Sequence, residues 1–140
     1  MNIYVVDACV AVKWFIPEIH SESAWRLHHP DYQLHVPGLL LLEFGNVVNK
    51  KQRRGEISAI ESEFMINKLR TALLKWHQDE LVFLHAFKIA HETDRSLYDC
   101  IYLSLAILLN SQMVTADLRF YDALKRSVYA TRLLWVENIP

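Results

Sequence analysis

The chain has 140 residues, 52% of them hydrophobic, with only three Gly and four Pro. That size and composition suit one compact domain over residues 1–140 and exclude a disordered, collagenous or linker-rich chain. Lys plus Arg number 15 against 16 Asp plus Glu, a net charge of −1, so bulk positive charge is excluded as a means of holding nucleic acid and any anion must be held locally. Two cysteines, Cys9 and Cys100, are too few for a disulfide framework and fit a reducing, cytoplasmic compartment. The longest apolar run, from Cys100 to Leu109, is shorter than the roughly 20 residues a membrane-spanning helix needs. No membrane association is expected. The apolar start lacks a basic leader and is interrupted by Asp7 and Lys13, so the first residues are expected to belong to the fold.

Residues 3–6 form a β-branched apolar run that stops at Asp7, the pattern of a strand buried on both faces of a parallel sheet. A helical segment is expected over 9–15 until Pro17, then a short helix over 21–27 capped by Ser21. Residues 33–36 read as a second strand, followed after Pro37-Gly38 by a helix over 39–53 that Gly55 stops. Ile57, Ile60, Phe64, Leu69, Leu73 and Trp76 recur at helical spacing, which predicts a helix over 58–76 and hence a helical hairpin at about 39–76. A third strand is expected at 81–84, a helix at 86–93, and another through Leu109 opened by the capping pattern Ser96-x-x-Asp99. A fourth strand at 113–115, a helix at 118–126 and a fifth strand at 133–136 complete the chain. Strands alternating with helices imply right-handed crossovers and a parallel sheet between helical layers, an α/β/α sandwich.

In such sheets, sites form where loops leave the carboxyl ends of the strands. Asp7 follows the first strand, Asp117 follows the fourth, and Asp99 opens a helix that starts near the same edge. Glu43 sits among Leu39, Leu40 and Val47 at helical spacing, on an apolar stripe with no basic residue one turn away. An ionised carboxylate there is costly unless paired, hydrogen-bonded or bound to metal. Each aspartate alone has a plain structural account as a helix cap; Glu43 has none of that kind. Carboxylates gathered at one edge raise each other's pKa unless a cation is present. All-oxygen donors favour Mg²⁺ or Mn²⁺, which takes phosphate oxygens and supports phosphodiester hydrolysis with one or two ions.

Four stretches carry a resemblance. They are Tyr4-Val5-Val6-Asp7-Ala8-Cys9-Val10-Ala11-Val12-Lys13-Trp14-Phe15, Val36-Pro37 through Glu43 to Asn46, Ser96-Leu97-Tyr98-Asp99-Cys100-x-Tyr102-Leu103, and Val114-Thr115-Ala116-Asp117-x-Arg119-Phe120. In this order they resemble the PIN-domain ribonucleases, most closely the VapC-type toxins of toxin–antitoxin pairs. The resemblance implies a single PIN domain with strand order 3-2-1-4-5, a homodimer, Mg²⁺- or Mn²⁺-dependent endonuclease action on RNA, and neutralisation by a cognate VapB-type antitoxin. It also implies that Asp7, Glu43, Asp99 and Asp117 are the catalytic and metal-binding acids, the same four that the residues single out. The family often places Ser or Thr two residues after the first Asp; Cys9 stands there, so a hydroxyl that commonly supports that Asp is missing.

Asn46, one turn beyond Glu43, is a candidate support for its carboxylate; Ser96 is a cap beside Asp99; Thr115 shares a strand face with Asp117 and is a candidate to orient the scissile phosphate or a water. Lys13, Arg95 and Arg119 adjoin the motifs and are candidate RNA contacts. Without the four acids, 12 anionic residues face 15 Lys plus Arg, so the remaining surface is mildly basic. No zinc-hydrolase spacing, Walker loop or dinucleotide fingerprint is present. A housekeeping PIN nuclease without an antitoxin and a non-catalytic PIN-like protein-binding module are the competing readings.

Overall fold

The computed structural model describes residues 2–140; Met1, part of the expected domain span, lies outside them. In chain order the regular elements are β1 (Asn2–Val6), α1 (Ala8–Ala11), α2 (Ser21–Ala24), β2 (Tyr32–Pro37), α3 (Leu39–Arg53), α4 (Ala59–Thr71), β3 (Leu74–His77), α5 (Phe83–Thr93), α6 (Leu97–Leu108), β4 (Gln112–Thr115), α7 (Leu118–Leu124) and β5 (Leu133–Trp135). Single 3₁₀ turns extend α1 and α2 and flank β5. The five strands form one all-parallel sheet in the order β3-β2-β1-β4-β5, as expected.

The sheet explains the sequence of its central strands. Consecutive residues Val5 and Val6, and likewise Met113 and Val114, are fully buried, so both faces of β1 and β4 are covered, which is why these strands are continuous apolar runs without alternation. On one side, α6 supplies the cover; Cys100 through Ala106 are buried without a break, and the helix packs on β1, β2 and β4. β1 connects outward to β2, whereas β4 returns to the other side of β1, so the chain reverses direction across the sheet between these two strands. A crevice at their carboxyl ends follows from that reversal.

The hairpin of α3 and α4 closes through Gly55, whose φ of 75° a residue with a Cβ adopts poorly. The Gly55 N–H donates to Gln52 O and the Glu56 N–H to Lys51 O, both at 3.0 Å, satisfying the last carbonyls of α3. Ser58 and Glu61 then form a reciprocal capping box that starts α4.

Two expected elements are displaced. The helix predicted over 58–76 ends at Thr71, and Leu74–His77 is the edge strand β3. Leu73 and Trp76 fall on the helical spacing by coincidence; Ala72 turns the chain to extended backbone with ψ of 159°. The strand expected at 81–84 is instead a 3₁₀ turn, Asp79–Leu81, running into α5. Leu81 is 62% and Leu84 77% exposed while Val82 is buried, a distribution no core strand shows. A four-residue apolar run carries no periodicity that separates the two structures. Ser21 is also not the cap of its helix: His20 occupies that position, and the Ser21 hydroxyl accepts from the Glu18 N–H at 3.0 Å.

Candidate active site

Asp7 leaves β1 and Asp117 leaves β4, on the two strands flanking the reversal. The Asp7 N–H donates to Val114 O at 3.1 Å, which fixes the start of the turn against the neighbouring strand. Asp99 lies in the first turn of α6, whose cap Ser96 accepts the Asp99 N–H at 3.1 Å. Glu43 lies one turn into α3, and the start of that helix is pinned to the β3 side. The Gly38 N–H donates to His77 O at 2.8 Å and the Leu39 N–H to Asp79 Oδ1 at 3.0 Å. These four elements bring Asp7, Glu43, Asp99 and Asp117 to the lining of one cavity of about 290 Å³, together with Cys9 and Asn46. Among the described residues no Lys, Arg or His lines it.

The carboxylates are held differently. Asp7 is buried and occupies the cap position of α1, yet its side chain makes no capping bond, so the capping account does not explain it. Its Oδ2 instead accepts from Thr115 Oγ1 at 2.8 Å and from Cys9 Sγ at 3.2 Å. Cys9 thus supplies the support expected of a hydroxyl at its position. Its sulfur also accepts the Ala116 N–H at 3.3 Å, and Thr115 Oγ1 accepts the Asp117 N–H at 3.1 Å, so one small network ties the loops after β1 and β4 together. Burial pushes Asp7 up to about 7, against the bonds from Cys9 and Thr115 and helped by the charges of Asp99 and Glu43.

Glu43 Oε1 accepts from Tyr102 Oη at 2.6 Å, a bond from α6 to α3. Burial raises Glu43, with Tyr102 opposing and Asp99 and Asp79 adding to the rise. Asp99 is raised by burial and then by Asp117, with Ser96 and Arg95 opposing. Asp117 caps α7, its Oδ1 accepting the Phe120 N–H at 3.2 Å. The capping account is therefore correct for Asp117, and it leaves the second oxygen without a protein partner among the described residues.

Other expectations are redirected. Thr115 is fully buried and its hydroxyl donates to Asp7, so it supports that carboxylate. Asn46 lines the cavity, but Tyr102 takes the part of holding Glu43. Lys13 is buried and paired with Glu18 at 2.9 Å, away from any role as a free RNA contact. Arg95 and Arg119 line a second concavity that shares Asp99 and Asp117 with the first. Sequence reasoning does not single out Tyr102 or Cys9 as functional supports. Tyr102 sits three residues after Asp99 on α6, hence on the same helix face, and that spacing is the signal that points to it.

As the side chains stand, no three His, Cys, Asp or Glu among the described residues enclose an ion by themselves. The donor set nevertheless fits Mg²⁺ or Mn²⁺, because hard ions of this kind are held by a few carboxylates, waters and substrate phosphates more often than by an all-protein cage. Elevated carboxyl pKa values with no cation in the lining are the electrostatic mark of a site built for positive charge.

Comparison with known proteins adds a family, a relative and solved structures. The PIN domain family matches residues 4–125. Ribonuclease VapC3 of Pyrobaculum aerophilum is 31% identical over 115 residues, covering 81% of this chain and 88% of that protein. Among solved structures, PAE2754 of the same organism superposes with a TM-score of 0.72 at 22% identity over 97% of this chain and 85% of that one. VapBC2 of Rickettsia felis, bound to a DNA fragment from their promoter, gives 0.64 at 13% identity over 95% and 98%.

Proposed function

The chain belongs to the PIN-domain family, and from that premise we propose that it is a divalent-metal-dependent endoribonuclease, the toxin of a toxin–antitoxin pair held inactive by a cognate VapB-type antitoxin. The observation that carries the reading is the cavity lined by four carboxylates from four separate stretches with no cation among its lining residues. Its relative is a ribonuclease of the VapC type, and a VapBC assembly shares the fold.

Asp7, Asp99 and Asp117 would hold Mg²⁺ or Mn²⁺, one or two ions, with Glu43 completing the set or positioning the attacking water. When bound, the metal supplies countercharge to the carboxylates and Lewis acidity toward a water and a phosphate oxygen. The protein's own contribution is placement. Thr115 and Cys9 fix Asp7 by one oxygen and leave the other for a ligand; Tyr102 does the same for Glu43. Near neutrality Asp7 retains a carboxyl proton in part of the molecules and must release it as positive charge arrives. Asp117 keeps one oxygen on α7 while offering the other.

The proposed site of action is the cytoplasm; among the described residues no helix is long and apolar enough to cross a membrane. A homodimer is part of the same reading, supported by the exposed Phe83, Leu84 and Phe87 on α5.

Induced expression of wild type and of Asp7→Asn, with total RNA from both cultures resolved for fragments, tests the function. Growth arrest with discrete RNA fragments, absent in the variant, is the expected result. Equal arrest by both, with no RNA cleaved, would contradict a carboxylate-dependent ribonuclease. Relief of arrest by the reading frame adjacent to the gene, or its failure, separates the toxin from a housekeeping nuclease.

A further inference from the structure

We infer that Arg95 and Arg119 form a phosphate-binding cradle beside the acids, one that holds an RNA phosphate neighbouring the one to be cut; this rests on the ribonuclease reading above. A concavity of about 410 Å³ is lined by Asp94, Arg95, Ser96, Arg119 and Phe120, and it shares Asp99 and Asp117 with the acid cavity, so two guanidinium groups face three carboxylates there. Each arginine is built onto the same turn as one of those acids. Arg95 immediately precedes the cap of the helix that carries Asp99, and Arg119 lies two residues beyond Asp117. Backbone geometry therefore sets the spacing between cradle and carboxylates.

Among the described residues neither arginine is locked in a contact ion pair, although Asp99 and Asp117 line the same concavity and the Arg95 charge acts on Asp99 at longer range. The Arg95 Nε is buried with no hydrogen-bond acceptor, an arrangement that costs free energy unless a ligand completes it. The other cations near the motifs are engaged or remote. Lys13 is paired with Glu18, Lys51 with Glu56 and Lys125 with Asp122. Lys50, Arg53 and Arg54 line a separate concavity at the far end of α3, about 10 Å or more along the axis from Glu43.

Fixed positive charge at the mouth of the acid cavity favours the entry of a polyanion, beyond the countercharge a bound metal would supply. A polyanion entering beside four carboxylates meets repulsion unless a countercharge stands at the point of entry. The planar guanidinium fork matches two phosphate oxygens at once and stays charged at every working pH. Contacts of this kind position the strand and carry no base preference. The cradle should thus bind single-stranded RNA of mixed sequence and set where along the strand the acids act.

The experiment measures anisotropy of a labelled mixed-sequence RNA of about 20 nucleotides with full-length protein in a NaCl series with Mn²⁺. A Glu43→Gln background slows cutting and leaves the three aspartates in place. Arg95→Ala and Arg119→Ala should each weaken binding roughly 5- to 20-fold and reduce the slope of log affinity against log salt by about 0.7, while Arg53→Ala has no comparable effect. Arg119 is exposed, so its variant tests the idea even if Arg95→Ala folds poorly. Unchanged affinity and slope in Arg119→Ala, an equal loss in Arg53→Ala, or no RNA binding by the parent at low salt would each overturn the cradle. Stabilisation by Mn²⁺ of wild type but not of Asp7→Asn reports the acid site separately, so the cradle can fail while the nuclease reading stands.

Discussion

The inner and outer halves of the acid cavity are built on different principles. Asp7 and Glu43 form the inner half; Asp7 is buried, Glu43 is half-buried, and both are held by side chains from distant parts of the chain, Thr115 and Tyr102. Asp99 and Asp117 form the outer half, partly exposed at the starts of α6 and α7 and placed by local helix geometry. The inner half is held by hydrogen bonds before any ligand arrives, and within it Asp7 bears the largest desolvation cost, Glu43 being half-buried as Asp99 is. The outer half faces solvent, and the two unpaired arginines stand beside it. Rigid, costly groups behind and accessible ones in front is the arrangement expected of a site that orients its chemistry from within and receives a polymer from outside.

Variants that break each half sharpen the contrast. Asp7→Asn and Asp99→Ala should each lower RNA cleavage by on the order of a thousandfold, since each removes a charge the proposed ion requires. Asp99→Ala should also stay folded by circular dichroism, because the Ser96 cap holds a backbone N–H and not that carboxylate.

Without metal, Asp7 makes stability depend on pH. Its folded pKa of about 7 lies above the ordinary 3.8, so between these values the folded state holds a proton that the unfolded chain has released. That contribution to stability is fully present below about pH 4, declines as pH rises through about 7, and then stays lost, amounting to about 4 kcal/mol. In EDTA at about pH 8, Asp7→Asn should melt on the order of 10 °C above wild type, with the gap closing near pH 4. A gap independent of pH would mean that Asp7 ionises freely in the fold.

Tyr102→Phe keeps the ring and removes the donor to Glu43. We expect kcat to fall about tenfold, with a stability loss of about 2 kcal/mol, typical of a hydrogen bond to a charged group. In a Glu43→Gln background the same change should cost kcat little further, as measured by a double-mutant cycle. The smallest effect belongs to Cys9→Ser. A hydroxyl keeps the donor to Asp7, so activity should stay within about threefold, whereas Cys9→Val, which deletes it, should lose more.

Parts of this arrangement are readable from residues alone. The apolar strand from Ile3 through Val6 ends at Asp7, and a similar run ends just before Asp117, so the sheet rule locates both. Glu43 stands out because a carboxylate interrupts an apolar helix stripe. The supports are not readable in the same way. Tyr102 meets Glu43 across 59 positions and Thr115 meets Asp7 across 108; the spacing of Tyr102 after Asp99 puts it on the site's face of α6, but no local pattern encodes either partner. The hydroxyl of Thr115 looks available to substrate only because its bond to Asp7 reaches another strand. Lys13 misleads for a similar reason, its partner Glu18 lying beyond the turn that follows α1. In the fold, β3 is hidden because Leu73 and Trp76 continue the helical spacing of α4 past its true end.

The most direct measurement of the central claim is a calorimetric Mn²⁺ titration near pH 7, in two buffers of different ionisation enthalpy, on wild type and Asp7→Asn. The account predicts saturable binding with net proton release by wild type, and the loss of both in the variant. Equal binding by the two proteins, or none by wild type, would contradict an acid cavity built to hold a metal ion.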